Sequence, residues 1–348
     1  MTAGALKNSA SGGRRTNAAP EGGFDRAALE LLRGTPAFLR VKKDAEAGRT
    51  GHAYLIVSKD TEASAMLAAL CMAYAEDIGE RRLDRFFKNG FADICAVPAE
   101  GAEVKARDVA ALTETAYLTP YELKHKFYVI SHAETMNEAA QNKLLKLLEE
   151  PPKSVVLLLK CANPYRLLPT VLSRCCRVDI PLFSADRVYE AIRDPADEPG
   201  ERAYLAAALS NGSIQAARAM LADPGVLELF DTVMDGLLRL KTSRDVLSVS
   251  NALFKTKAEP EQMTGLIDLI LGDCLLYNEQ EKVLMRFKTR HKEIGSLVAG
   301  GFTARAVLEI RPALIRAAQR LRFYGNALSV IEELLFTIVE VKAKCQLL

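Results

Sequence analysis

Tryptophan is absent from the 348-residue chain, and aromatic residues make up only 7% of it. Ala and Leu are abundant instead, which favours helices. The longest uninterrupted apolar run extends from Ala65 to Ala75 and is shorter than the roughly 18 residues that a membrane span needs, so no span is expected. Hydrophobic residues at 49% and charged residues at 26% match a globular protein and exclude a wholly disordered or fibrous one.

An excess of charge of one sign is also lacking, because 46 Lys and Arg residues face 44 Asp and Glu residues, for a net charge of +2. A globally basic nucleic-acid-binding surface is therefore not expected. The seven cysteines are an odd number and include no C-x-x-C pair, which argues against a disulfide framework and favours reduced thiols. The N-terminus has no apolar signal segment, so a cytoplasmic location is expected.

Composition and periodicity divide the chain into four segments. Residues 1–23 are rich in Gly and poor in large apolar side chains, which predicts a flexible tail. Residues 24–180 alternate short apolar runs with helical patterns, which predicts an α/β domain with a parallel sheet covered by helices on both faces. Residues 181–222 and 223–348 contain only amphipathic helical patterns, about three short helices followed by roughly five longer ones. The predicted strands are His52 to Val57, Ile94 to Val97, Phe127 to Ile130 and Val155 to Leu159.

One helix is strongly indicated from Glu138 to Glu149. Its apolar residues fall on one face, Thr135 and Glu138 have the spacing of a capping box, and Pro151-Pro152 would end it.

Three motifs follow one another between Lys126 and Arg177. They are Leu148-Glu149-Glu150-Pro151-Pro152, then Leu167-Leu168-Pro169, then Ser173-Arg174-Cys175. Together and in this order they closely resemble the AAA+ subunits of the bacterial DNA polymerase III sliding-clamp loader. The resemblance implies an AAA+ α/β core, a small helical lid over residues 181–222, and an all-α collar over 223–348 that joins subunits. Beyond residue 222 the sequence fits that family only in type.

A nucleotide site of this family requires a P-loop, G-x-x-x-x-G-K-[ST], directly after the first strand. The corresponding window runs from Ser58 to Ala65, and the two glycines, the lysine and the final hydroxyl residue are replaced by Ser58, Ala63, Ser64 and Ala65. Asp60 and Glu62 add negative charge where phosphates would lie. No Gly-Lys dipeptide occurs elsewhere in the chain. We therefore expect no bound nucleotide cofactor.

The other ATPase positions implied by the resemblance are also altered. The acidic pair expected after the third strand is Ser131-His132, and a neutral imidazole is a poor Mg²⁺ ligand. The sensor hydroxyl falls on Cys161 or Ala162, and the sensor arginine is Gln215, with Arg218 one turn later. These changes predict a subunit that keeps the fold without hydrolysing ATP.

Arg174 matches the position that in this family projects into the ATP site of a neighbouring subunit. A guanidinium offers forked donors for phosphate oxygens, so the resemblance implies an arginine finger acting in trans, with Ser173 and Cys175 as its motif neighbours. The alternative is a local ion pair with Asp179 or Glu149. Arg177 is the nearest competing arginine but lies outside the motif.

Neither a metal nor direct DNA binding is favoured by the remaining residues. Many relatives have a four-cysteine zinc module before the second strand, but only Cys71 and Cys95 lie in this part of the chain, so no metal site is expected. Local basic clusters occur at 81–88, 124–126 and 286–292, and such runs are usually solvated surfaces. DNA contact by any of them stays open.

The function implied is that of a stator in the clamp loader, which would place the sliding clamp on primed DNA. Its expected partners are the ATPase subunits and the clamp-opening subunit of a hetero-pentamer, with the clamp as a further candidate and primed DNA contacted through the assembly. Two alternatives remain: an active clamp-loader ATPase, and an AAA+ relative that binds nucleic acid outside replication.

Overall fold

The computed structural model describes residues 26–98, 103–194, 200–323 and 326–346. The predicted flexible tail, residues 1–23, lies outside these residues. The chain divides into two compact units, with the division between Leu182 and Phe183. The first unit contains the predicted α/β domain, and the second contains both the predicted lid and the predicted collar. The boundary between lid and collar at residue 222 stays a prediction.

The first unit is built on a sheet of five parallel strands in the order β2-β3-β4-β1-β5. The strands are β1 (Ala53–Val57), β2 (Ile94–Val97), β3 (Lys126–Ile130), β4 (Val155–Cys161) and β5 (Cys176–Asp179). The four predicted strands are confirmed. The fifth was missed because it lies at the sheet edge and only Val178 of its four residues is buried, which leaves no apolar run to detect.

Seven helices accompany the sheet in the described part of this unit. They are α1 (Arg26–Arg33), α2 (Pro36–Glu46), α3 (Thr61–Ala75), α4 (Leu83–Phe87), α5 (Ala106–Thr115), α6 (Glu138–Glu149) and α7 (Pro169–Leu172). Leu157 and Leu159 of β4 share a buried cluster with α5 and α6, while α3 packs on β1 and β4. Because neighbouring strand residues point to opposite faces, both faces are covered. The predicted α/β fold class is confirmed.

Helix α6 has the predicted bounds but a different cap. Asn137, not Thr135, is its N-cap, and the Asn137 side chain accepts a hydrogen bond from the Ala140 N–H at 2.9 Å. Thr135 ends a preceding 3₁₀ turn, and its hydroxyl donates to the His132 carbonyl. The predicted capping box is therefore wrong, because a separate short turn intervenes before the helix starts.

The second unit is helical throughout its described residues. Its helices are α8 (Ala185–Ile192), α9 (Glu201–Leu209), α10 (Ile214–Ala222), α11 (Gly225–Arg239), α12 (Asp245–Lys255), α13 (Pro260–Asn278), α14 (His291–Ala299), α15 (Ala304–Arg322) and α16 (Ala327–Gln346). The three short helices are confirmed, but six helices follow them rather than about five. No helix in the described residues has the length and apolar character needed to cross a membrane.

The segment between α13 and α14, which we call the strap (residues 281–290), ties the helices of this unit together. The buried carboxylate of Asp273 accepts hydrogen bonds from the Arg286 N–H at 2.9 Å and the Phe287 N–H at 2.7 Å. The ring of Phe287 packs on Phe230 of α11 with centroids 4.7 Å apart. Tyr204 of α9 belongs to the same hydrophobic core as Phe230 of α11, so helices of the predicted lid and of the predicted collar share one core.

Candidate functional site

The connection from β1 to α3, where a P-loop would lie, contains a buried carboxylate, Asp60, that caps the helix. Only Ser58, Lys59 and Asp60 separate the strand from the helix. Asp60 is 3% exposed, and its Oδ1 accepts a hydrogen bond from the Ala63 N–H at 3.0 Å as the N-cap of α3. A helix N-terminus is a natural site for an anion, and here an internal anion already occupies it.

The residues at the P-loop positions are part of the helix or serve the turn. Ala63, Ser64 and Ala65 are buried within the first turns of α3, and the Ser64 hydroxyl donates to the Thr61 carbonyl at 2.9 Å. The Ser58 hydroxyl accepts from the Asp60 N–H at 3.0 Å. None of these contacts forms the loop of outward-facing N–H groups that cradles a polyphosphate.

The turn after β3 brings the carboxylate of Glu134 to the C-terminal end of the parallel strands. This residue lies beyond Ser131 and His132, the positions where the acidic pair of an ATPase is expected. His132 has a positive φ of 53°, and its carbonyl accepts from the Thr135 hydroxyl. Glu134 Oε1 accepts from the Ala162 N–H at 3.1 Å, which links this turn to the end of β4. The second oxygen of Glu134 is buried without a hydrogen-bond partner among the described residues. Ser131 contributes its N–H to the Val97 carbonyl.

A cleft of about 570 Å³ lies beside Glu134 at the start of α6. Glu103 and Glu138 also line it, against the single cation Arg166. The Gln141 side chain, 3% exposed, accepts from the Leu168 N–H at 2.7 Å and thereby fixes one wall. No sequence pattern marks this cleft, because its lining residues come from segments that become neighbours only in the folded chain.

Arg174 lies just after α7 and is held by local contacts. Its Nη2 pairs with Glu149 Oε1 at 2.9 Å, and the two side chains are 36% and 48% exposed. Its Nη1 donates to the Thr170 carbonyl at 3.0 Å and to the Ser173 hydroxyl at 3.3 Å. Of the two local partners considered from the sequence, the structure thus selects Glu149.

The competing arginine is engaged elsewhere. Arg177 in β5 forms a forked pair with Asp179, with its Nε 3.0 Å from both carboxylate oxygens. This contact raises the pKa of Arg177, chiefly through the hydrogen bond to Asp179. Asp179 is therefore the partner of Arg177 and not of Arg174.

Cysteines near the site are unreactive thiols. Burial raises the pKa of Cys175 and of Cys161 to about 12, so neither is a thiolate at neutral pH. Cys71 is buried in α3 and Cys95 lies in β2. No group of His, Cys, Asp or Glu side chains within the described ranges is arranged to hold a metal ion.

The basic clusters have their cations paired within the chain at several positions. Arg85 pairs with Glu122 at 3.2 Å, and Lys124 pairs with Asp77 at 2.6 Å. In the strap, Lys288 pairs with Asp186 at 2.8 Å and Arg290 pairs with Asp231 at 3.0 Å. The Arg286 guanidinium donates to the Ala208 carbonyl at 2.9 Å and to Asn211 at 3.0 Å. These contacts give the basic residues of the strap a structural role.

Comparison with known proteins supports the resemblance for the first unit. The family model of the DNA polymerase III delta subunit matches residues 35–184, a range that contains all three motifs that end at Ser173-Arg174-Cys175. The resemblance drawn from those motifs is thereby confirmed for this part of the chain.

Two curated relatives are DNA polymerase III delta′ subunits. The Bacillus subtilis protein is 32% identical over 183 residues, which cover 50% of this chain and 54% of the relative. The Pseudomonas aeruginosa protein is 42% identical over 171 residues, which cover 49% of this chain and 48% of the relative. The chain thus spans about half the length of the curated relatives it matches.

Among solved structures, a DNA polymerase III gamma subunit-related protein from Thermotoga maritima is similar at 17% identity. The match covers 88% of this chain and 99% of that one, with a TM-score of 0.41.

Proposed function

We propose that this chain is a clamp-loader subunit that does not hydrolyse ATP and that supplies Arg174 to the ATP site of a neighbouring subunit. Its partners are the ATPase subunits and the clamp-opening subunit of the loader, acting on the sliding clamp and primed DNA in the cytoplasm. The match of residues 35–184 to the delta-subunit family model supports this assembly, because the matched range includes the motif around Arg174. The collar role of residues 223–348 belongs to the same proposal.

The observation that carries the non-hydrolysing role is the Asp60 cap of α3. A triphosphate at this helix would have to displace the buried carboxylate from the Ala63 N–H, and two anions in one place repel. The alternative of an active ATPase would need Mg²⁺ ligands at Ser131 and His132, which are poor donors for this ion. We therefore place the reaction in the neighbouring subunit and the charge stabilisation in Arg174.

The test is ATP turnover in a reconstituted loader in which the subunit facing Arg174 is the only one able to bind ATP. Arg174→Ala is expected to lower kcat at that site by about 10³-fold, since arginine fingers contribute at least this much in well-studied cases. Arg177→Ala is the matched control, because Arg177 is a nearby exposed arginine, 47% exposed against 36% for Arg174, but is paired with Asp179, and it should leave turnover within about twofold. Unchanged turnover in Arg174→Ala would refute the finger.

Membership of the loader is tested separately by co-purification. The full chain is expected to recover the polymerase III ATPase subunits from a mixture of purified replication proteins. Failure to bind any of them, with nucleic acid bound instead, would favour an AAA+ relative outside replication.

A further inference from the structure

The guanidinium of Arg174 is fixed by three acceptors on the surface of its own subunit. Glu149 Oε1 forms an ion pair with Nη2 at 2.9 Å. The Thr170 carbonyl accepts a hydrogen bond from Nη1 at 3.0 Å, and the Ser173 hydroxyl accepts one from Nη1 at 3.3 Å. Thr170 and Ser173 precede Arg174 in the same short segment and move with it. Glu149 is the acceptor that comes from a different element.

The backbone of Glu149 is anchored by its buried neighbours. It is the last residue of α6, whose residues Leu147 and Leu148 are buried in the core on the α5 and α6 side of the sheet. Pro151 and Pro152 follow directly and restrict the backbone beyond the helix. The carboxylate of Glu149 therefore starts from a fixed backbone position when it binds the guanidinium of Arg174.

The contacts leave part of the guanidinium available. An arginine has five N–H donors, and the three contacts engage two on Nη1 and one on Nη2. No further contact of this side chain is found in the described part of the chain, so two N–H groups remain. Two donors suffice for a forked contact with a phosphate.

We propose that Glu149 is a positioning residue that holds Arg174 in the orientation in which it meets a neighbour's phosphate, an inference that rests on the proposed function above. A long exposed arginine samples many rotamers, and fixing it at the moment of reaction costs conformational entropy. The ion pair with Glu149 already restricts the Arg174 side chain in the free subunit, so less conformational entropy is lost when it contacts the phosphate. The pair is accessible to solvent, so its effect is moderate and decreases as salt is added.

The experiment measures kcat and KM for ATP in the same single-site loader. Glu149→Gln keeps the shape of the side chain but removes its charge, and we expect kcat to fall about threefold to tenfold with KM unchanged. Glu149→Asp, which keeps the charge, should recover most of the lost rate. Glu150→Gln is the matched control, because Glu150 is the adjacent exposed glutamate and has no ion pair among the described residues; its kcat should equal that of the wild type.

A double variant separates this inference from the proposed function. In an Arg174→Ala background, Glu149→Gln should have no further effect, because its target is gone. If Arg174→Ala lowers turnover but Glu149→Gln does not, or raises it, the positioning role is wrong while the finger stands. Equal losses from Glu149→Gln with and without Arg174 would also overturn positioning, since they would indicate a structural defect. No effect of Arg174→Ala would refute the proposed function itself.

Discussion

Asp60 illustrates how one carboxylate changes the chemistry of a helix N-terminus. In a P-loop the N–H groups at this place are left open for phosphate, whereas here the Asp60 side chain is buried and accepts the Ala63 N–H. The same contact stabilises α3, since an N-cap of this type contributes about 1 kcal/mol. The carboxylate that occupies this position in the predicted P-loop window therefore also stabilises the helix that follows it.

Lys160 is a second residue with a defined electrostatic effect. It is the penultimate residue of β4, next to Ile56 of β1, and has no ion-pair partner in the described ranges. Burial lowers the pKa of Lys160 to about 8. The unfolded chain holds this proton up to a higher pH, so the charged lysine destabilises the fold below pH 8.

We predict that Lys160→Met raises the free energy of unfolding at pH 7 by about 1 kcal/mol. Between the folded pKa of about 8 and the ordinary lysine pKa of 10.5 the unfolded state binds more protons, so the stability of the wild type rises relative to that of the variant there. The stability advantage of Lys160→Met over the wild type, measured by urea titration, should therefore shrink as the pH rises from about 8 to 10.5. Lys153→Met, at an exposed position, is the control and should change little. An advantage that is absent at pH 7, or that grows with pH, would contradict this account.

At the scale of elements, the strap depends on a single buried carboxylate. Asp273 lies on α13, is 3% exposed, and accepts the N–H groups of Arg286 and Phe287. Asp273→Asn would leave one of these donors facing an amide N–H₂, so we expect the free energy of unfolding to fall by about 1 to 3 kcal/mol. Chemical denaturation measures this loss, and hydrogen exchange should accelerate at the Arg286 and Phe287 amides.

The control lies on the same helix. Asp268 pairs with Arg311 at 3.2 Å, and both side chains are more than 40% exposed. Asp268→Asn is expected to cost under about 1 kcal/mol. If the two asparagine variants were equally stable, the strap would not depend on Asp273.

The elements also show which features a sequence can reveal. Strands β3 and β4 were predictable because both faces of a central parallel strand are buried, which leaves a continuous apolar run. Edge strand β5 has no such run. The nine-residue helix α14 follows a 3₁₀ turn, and periodicity over so few residues does not separate it from its flanks.

The candidate site was predictable to a similar degree. The resemblance to clamp-loader subunits, carried by residue identities, indicated the altered P-loop and the special position of Arg174. The choice of Glu149 over Asp179 required the fold, because it depends on where α6 ends relative to α7. The preference of Asp for N-caps was the available signal for the role of Asp60.

On the scale of the whole molecule, the described helices that follow residue 182 form one unit with a common core. The strap adds polar contacts between them, including Lys288 with Asp186 of α8 and Arg290 with Asp231 of α11. The proposed function requires no lid that moves with a nucleotide bound to this chain. A shared core across the predicted lid and collar therefore accords with the proposed static role.

The most direct test of the central claim is a calorimetric titration of the intact chain with a non-hydrolysable ATP analogue and Mg²⁺, with a P-loop-containing ATPase subunit as positive control. We predict no saturable heat up to about 1 mM analogue. A one-to-one isotherm with a micromolar Kd, lost on substitution of residues in the turn before α3, would contradict the account.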